Sequence, residues 1–163
     1  MKDFTIDQWE AAKSFIEESN RIEGIIRSPT REELAAFRRF MQLDKVTVKD
    51  LETFVKVYQP DARLRDKAGL DVHIGVQMPP RGGPEIRTAL QDILSGAVRR
   101  PWLLVTKDRP DSAYSTHVAY EHLHPFTDGN GRSGRMLWAW QMRDFPLGFL
   151  HHFYYQTLAN SRL

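Results

Sequence analysis

The stretch from His124 to Arg135 reads HPFTDGNGRSGR and combines residue types that suit chemistry on phosphate groups. A neutral imidazole takes up protons near neutral pH, so His124 could act as a base toward a hydroxyl group. Asp128 supplies a hard carboxylate oxygen of the kind that Mg²⁺ prefers when it bridges phosphates. Phe126, which is apolar, is expected to anchor the loop in the core. The spacing therefore predicts a base and a metal ligand on one loop.

The second half of the same stretch predicts a phosphate-binding turn. Gly129 and Gly131 permit positive φ angles, Asn130 tolerates them, and such a turn lets backbone N–H groups converge on an anion. A helix that begins near Arg132 would point its partly positive N-terminus at that anion. Arg132 and Arg135 are three residues apart, share a helix face and could bind phosphate oxygens in bidentate fashion. A plain glycine-rich turn before a basic helix would explain either arginine alone, but not the whole set.

Bulk composition favours one globular domain over residues 1–163. The chain has 41% hydrophobic and 27% charged residues, and a net charge of +2. That charge is too small to argue for nucleic-acid binding. No apolar run approaches the roughly 18 residues of a membrane span, and the polar N-terminus does not resemble a signal peptide. We therefore expect no membrane association and a cytoplasmic location. Without cysteine there is no disulfide framework and no thiolate metal site.

Most segments have the apolar periodicity of helices. Thr5 with Gln8 and Thr30 with Glu33 form two capping boxes, which mark helix starts. The expected helices run from Thr5 to Gly24, from Thr30 to Met41, from Thr47 to Pro60, over 84–98 and 110–123, from about Arg132, and over roughly 147–158.

Residues 62–81 break the helical rhythm. Apolar residues at 70, 72, 74 and 76 alternate with Asp71, His73 and Gly75, which favours extended chain. Gly69 before this run and two prolines after it mark its ends. We therefore predict a short β-hairpin, or flap, in an otherwise all-α domain.

The loop motif resembles the signature of the Fic family, which has the form His-Pro-Phe-x-Asp-Gly-Asn-Gly-Arg-x-x-Arg. Upstream of it, His117, Tyr120 and Leu123 occupy the positions of a pattern that leads into the family motif. The segment from 64 to 80 resembles the flap of the family. The resemblance covers roughly residues 14–140 and implies a compact Fic-like helical domain with a short β-hairpin flap.

In that family the usual activity is transfer of AMP from ATP to a Ser, Thr or Tyr hydroxyl of a target protein. The resemblance implies a role for each polar residue of the motif. His124 would be the base, Asp128 would hold Mg²⁺, Gly129 to Gly131 with Asn130 would stabilise oxyanion charge, Arg132 would hold the β-phosphate, and Arg135 the γ-phosphate.

The resemblance also implies how a target would bind. Val72, Ile74 and Gly75 of the flap would pair with a target segment through main-chain hydrogen bonds, as in strand addition. The partner is then a protein with a modifiable hydroxyl group. The sequence leaves a homo-oligomer open.

A second segment, Ser19-Asn-Arg-Ile-Glu23-Gly24, resembles the inhibitory motif Ser/Thr-x-x-x-Glu-Gly/Asn of many Fic proteins. It lies in the N-terminal helix, residues 1–24, where one inhibitory subclass carries it. By resemblance, Glu23 would form an ion pair with Arg135, and Ser19 would help to fix the helix against the loop. The alternative is a plain helix end that is capped by Gly24, with Glu23 merely exposed.

Other interpretations compete with an adenylyltransferase that Glu23 inhibits in cis. Kinase-like phosphoryl transfer and removal of AMP are enzymatic alternatives at the same site. A non-catalytic nucleotide-sensing module is the alternative of another class, although a pure sensor would not need His124. A metal cluster of Glu121, His122 and His124 is disfavoured because no further matched ligand accompanies it.

Overall fold

The computed structural model describes residues 3–97 and 113–142. Within these residues the chain forms six α-helices, so the predicted all-α class is confirmed. Their bounds are α1 Ile6–Ile22, α2 Arg31–Met41, α3 Val48–Tyr58, α4 Pro84–Gly96, α5 Ala113–Leu123 and α6 Asn130–Gln141. Of these helices, none has the length and apolar character needed to cross a bilayer.

Reciprocal capping boxes fix the starts of the first three helices. Thr5, Thr30 and Thr47 each accept a hydrogen bond from the N–H group three residues on, and the side chain there bonds back to the threonine N–H. Two of these boxes are the ones predicted from sequence, and the third uses Asp50. At the other end of α1, Gly24 adopts φ +76°, the left-handed conformation that ends a helix.

Helix α6 is the centre of the fold. It contacts α1, α2, α3 and α5, and all of its residues except Gly131 are buried. Trp138 and Trp140 are core residues, and the indole N–H of Trp140 donates to the Leu43 carbonyl at 2.9 Å. Because α6 is packed on every side, its N-terminus and the preceding loop are held in a fixed place.

The flap is not a β-hairpin in the described structure. Ile74 and Gln77 exchange two backbone hydrogen bonds of 3.0 and 2.9 Å, which form a single antiparallel bridge around a tight turn. No ladder extends from it within residues 62–81. Prolines 79 and 80 lack N–H donors, and the carbonyls of Leu70 and Pro80 accept from a side chain, that of Arg65. The period-two pattern therefore corresponds to one isolated bridge and not to a two-stranded ladder.

Some helix boundaries differ from the predictions. Helix α6 begins at Asn130 rather than near Arg132, and α4 ends at Gly96 rather than at residue 98. The predicted last helix, 147–158, and the first residues of the predicted 110–123 helix lie outside the described residues.

Candidate active site

His124 stands at the entrance of the motif loop, which we define as residues 124–129 between α5 and α6. It has φ +49°, a left-handed conformation that is uncommon for a residue with a side chain. Its N–H donates to the Tyr120 carbonyl at 2.9 Å, which continues the hydrogen bonding of α5 by one residue. Such a conformation persists where surrounding contacts impose it, and it often marks a functional position.

The imidazole of His124 makes one described hydrogen bond, which involves its Nδ1 atom. Its Nδ1 lies 3.4 Å from the Glu121 carbonyl oxygen, so Nδ1 carries the proton and Nε2 keeps its lone pair. Burial lowers the pKa of His124, and the charge of Arg65 adds to this. The Glu121 carbonyl and the charges of Asp128 and Glu23 oppose the shift without cancelling it. The lowered pKa favours the neutral form of the ring.

Asn130 locks the motif loop. Its Oδ1 accepts from the Phe126 N–H, and its Nδ2 donates to the Phe126 carbonyl, both at 2.8 Å. Phe126 is 1% exposed and anchors the loop in the core, as predicted. Both functional groups of the Asn130 side chain are thus engaged with the loop backbone. The side chain of Asn130 therefore shapes the motif loop.

The turn into α6 uses its two glycines differently. Gly129 adopts φ +79° and, as N-cap, offers no side chain to the first turn of the helix. The first N–H groups of α6 have no carbonyl four residues earlier within the helix, so they can bind an anion. Gly131 is helical and provides space instead. A β-carbon built there would lie 2.6 Å from Glu23 Oε1 and 3.1 Å from Arg135 Nη1.

Arg132 belongs to the first turn of α6 and is 5% exposed. Its guanidinium stacks over the Tyr58 ring at 5.1 Å, a cation–π contact. Its buried Nε has no hydrogen-bond partner among the described residues. Burial lowers the pKa of Arg132, and Glu23, Tyr58 and Asp128 counteract that effect. A buried guanidinium with an unused donor fits an anionic ligand such as phosphate.

Arg135 connects α6 to the end of α1. Its Nε donates to Ser19 Oγ at 2.8 Å, and its Nη2 donates to the Ser19 carbonyl at 3.1 Å and to Glu23 Oε1 at 2.5 Å. The Arg135 side chain is 2% exposed and that of Glu23 is 37% exposed. The structure thus brings together the three residues that the sequence associates with inhibition.

Asp128 is the one carboxylate of the motif loop. It is exposed, and its Oδ1 accepts from the Gly129 N–H at 2.6 Å. Nowhere in the described residues do three or more His, Asp or Glu side chains cluster for metal binding, so the imagined cluster around Glu121 is not formed. A single carboxylate suits Mg²⁺ that takes its other ligands from phosphates and water. The donor set therefore fits a metal that arrives with a nucleotide.

The flap meets the motif loop at its base. Leu64 and Phe126 form an antiparallel bridge, and the Thr127 N–H donates to the Arg63 carbonyl at 2.9 Å. Of the predicted docking residues, Val72 and Ile74 are half-buried, and Gly75 is exposed at the turn with φ +56°. The described hydrogen bonds between flap and motif loop come from this base.

Sequence reasoning missed the contacts of Arg65 and the burial of Glu121 beside the site. Arg65 appears in the sequence only as part of the flap pattern, yet its side chain donates to the His124 carbonyl at 2.7 Å. Glu121 has a buried Oε1 without a hydrogen-bond partner among the described residues. Burial raises the pKa of Glu121 to about 7; Arg135 opposes this and Glu23 adds to it. No spacing pattern could have indicated either role, because both depend on contacts between distant segments.

Comparison with known proteins agrees with the geometry of the site. The family model described as Fic/DOC family matches residues 42–142, which is more than half of the 163 residues and includes the flap, α5, the motif loop and α6. Searches of curated proteins and of solved structures found no match. Because the family model covers most of the chain together with its complete motif, the chain belongs to the Fic/DOC family.

Proposed function

We propose that this protein is an adenylyltransferase that moves AMP from ATP to a hydroxyl group of a target protein. The observation that carries the proposal is the pairing of His124, a neutral base with a defined tautomer, with the anion-binding N-terminus of α6. Membership of the Fic/DOC family supports a transferase of this kind. A pure nucleotide sensor would have no use for a base with a lowered pKa at that place.

In the proposed step, the hydroxyl oxygen of a target Ser, Thr or Tyr attacks the α-phosphorus of ATP. The new O–P bond forms as the bond between the α-phosphorus and the bridging oxygen of pyrophosphate breaks. The hydroxyl proton passes to Nε2 of His124, and pyrophosphate leaves with the electron pair of the broken bond. The products are the AMP-modified protein and pyrophosphate.

The other residues bind and neutralise charge. Main-chain N–H groups at Asn130 and Gly131 face developing oxyanion charge, while Arg132 and Arg135 bind the β- and γ-phosphates. Mg²⁺, held by Asp128, would supply further neutralisation of the phosphates. Asn130 keeps the loop in shape through Phe126. Because this chemistry depends on positioning and charge, loss of one of these groups should lower the rate strongly.

The same geometry supports inhibition in cis. Glu23 Oε1 reaches Arg135 and would lie 2.6 Å from a β-carbon on Gly131, at the space that Gly131 leaves open beside the helix N-terminus. A carboxylate there competes with phosphate oxygens for the same guanidinium. In the proposed resting state Glu23 therefore keeps Arg135 from the γ-phosphate. Removal of the carboxylate would release Arg135 for the nucleotide.

The test is the intact mass of the protein after incubation with ATP and Mg²⁺. We compare wild type, Glu23→Gly and the double variant Glu23→Gly with His124→Ala. Glu10→Gly, an exposed glutamate on the same helix, is the matched control. A gain of about 329 Da per site in Glu23→Gly alone is the expected result for covalent AMP.

Other outcomes of the mass measurement would contradict the proposal or replace it by another function. A gain of about 80 Da would replace adenylylation by kinase-like transfer. Loss of AMP from a modified protein, with no gain in any variant, would assign AMP removal. If the double variant with His124→Ala gains mass as Glu23→Gly does, His124 is not the base.

A further inference from the structure

Arg65 is a fully buried cation, with 0% of its surface exposed. Arginine is rarely buried to that extent without compensation, because its charge loses hydration. Burial lowers the pKa of Arg65, and the charge of Asp71 opposes this. Hydrogen-bond acceptors must therefore compensate the guanidinium for its lost hydration.

The acceptors of Arg65 belong to two separate parts of the chain. Nε donates to the His124 carbonyl at 2.7 Å, and Nη2 donates to the Leu123 carbonyl at 2.8 Å. Nη1 donates to the carbonyls of Pro80 and Leu70, at 2.8 and 3.2 Å. Leu70 and Pro80 are the two ends of the flap loop, which we define as residues 70–80. One planar group thus joins both ends of the flap loop to the end of α5 and the start of the motif loop.

The contact falls on the peptide unit that sets the direction of His124. His124 has φ +49°, and its N–H and C=O are both fixed, one by the Tyr120 carbonyl and the other by Arg65. Backbone in that region persists only while such contacts hold it. Because Cβ follows the backbone, the guanidinium of Arg65 also fixes where the imidazole points.

The other end of the connection is tightly packed. A β-carbon on Gly82 would lie 2.6 Å from the Leu70 carbonyl oxygen and 2.7 Å from that of Lys67. The Gly82 N–H donates to Asp71 Oδ1 at 2.7 Å, and the Gly83 N–H donates to the main-chain carbonyl of Arg65 at 2.9 Å. Backbone atoms meet directly here, so a change in the flap loop displaces an acceptor of Arg65.

We infer that Arg65 is a positioning residue that couples the conformation of the flap loop to the orientation of His124. A protein segment that docks on the flap loop would then also change the orientation of the His124 ring. The expected effect of this coupling on kcat rests on the proposed function. Lysine cannot replace Arg65, because a single ammonium lacks the planar fork that reaches four carbonyls in two directions.

The first test compares Arg65→Lys with Arg63→Lys, a conservative change at an exposed arginine two positions earlier. The ring resonances of His124, assigned from the spectrum of His124→Ala, report its orientation and pKa by NMR. We expect them to move, and the pKa to shift, in Arg65→Lys but not in Arg63→Lys. In the Glu23→Gly background, kcat should fall by about tenfold to a hundredfold with KM for ATP within about twofold.

The second test leaves Arg65 and His124 untouched. Gly82→Ala forces a β-carbon against the Leu70 carbonyl and so moves the flap end of the connection. The coupling predicts that the His124 ring resonances shift in this variant too. The Gly82→Ala variant also tests the coupling if Arg65→Lys does not fold. Unchanged His124 resonances in Gly82→Ala overturn the coupling, whatever Arg65→Lys shows.

The two proposals fail separately. Shifted His124 resonances in both variants, in a protein that transfers no AMP, would uphold the coupling and reject the proposed function. Normal transfer with a kcat that neither variant changes would reject the coupling alone.

Discussion

Glu23 Oε1 lies 2.5 Å from Arg135 Nη2, and the same oxygen occupies the space that the missing side chain of Gly131 leaves beside α6. One carboxylate thus contacts the guanidinium and the open side of the helix N-terminus together. Both are groups that a phosphate would use. In the proposed function, the ion pair would therefore compete with the phosphates of the nucleotide.

Glu23→Gln should tighten ATP binding, because it removes the negative charge and keeps the shape of the side chain. We expect a gain on the order of tenfold in affinity, which corresponds to one charged hydrogen bond. Isothermal titration calorimetry with ATP and Mg²⁺ measures it. In an Arg135→Met background the same substitution should have no effect. A gain of equal size in that background would mean that Glu23 acts through another group.

The rate of AMP transfer should stay above half of its maximum at pH 6.5. Burial places the pKa of His124 below its ordinary value of 6.5, so the neutral base persists to lower pH. The acid limb of the kcat profile of Glu23→Gly should therefore have its midpoint below 6.5. His122→Gln, at an exposed neighbouring histidine, should leave the profile unchanged. A midpoint above 6.5 would contradict the lowered pKa.

Glu121 should make the fold less stable as the pH rises toward neutrality. Its pKa is about 7 when folded and 4.5 in its ordinary state, so the folded protein binds this proton more tightly. The tighter proton binding adds roughly 3 kcal/mol at most to the free energy of unfolding. This contribution is fully present below pH 4.5 and is lost by about pH 7. Urea unfolding of wild type and Glu121→Gln over that range measures the difference. Glu10→Gln, at an exposed site, is the control, and parallel curves for wild type and Glu121→Gln would refute the shift.

Asn130→Ala should lower stability by roughly 2–4 kcal/mol, because it leaves the N–H and C=O of Phe126 buried without partners. Chemical denaturation gives the free energy of unfolding. Asn130→Asp keeps an acceptor for the N–H but sets a carboxylate against the carbonyl, so it should also be destabilising. If both variants match wild type in stability, the side chain does not lock the loop.

The sequence predicts the helical scaffold well because the signals for helices are local. Thr5 with Gln8 and Thr30 with Glu33 form their capping boxes within four residues, and Gly24 ends α1 in the left-handed conformation. Phe126 is buried as its apolar character indicates. None of these features requires knowledge of a distant part of the chain.

The features that the sequence did not predict all depend on distant contacts. In the flap, the carbonyls of Leu70 and Pro80 accept hydrogen bonds from the guanidinium of Arg65, a contact that alternating apolar residues do not indicate. The His124 carbonyl, next to a left-handed φ angle, accepts from Arg65 of the flap, and the raised pKa of Glu121 comes mainly from its burial. The periodicity of apolar residues contains no information about contacts between segments that are distant in sequence.

Glu23 precedes Arg135 by 112 positions in the chain. Ribosomes synthesise proteins from the N-terminus, so the carboxylate already exists when the guanidinium is made. α1 can therefore engage α6 from the moment α6 folds. In the proposed function, a newly made molecule would therefore begin with Arg135 paired to Glu23, and its activation would require a later change that separates the two side chains.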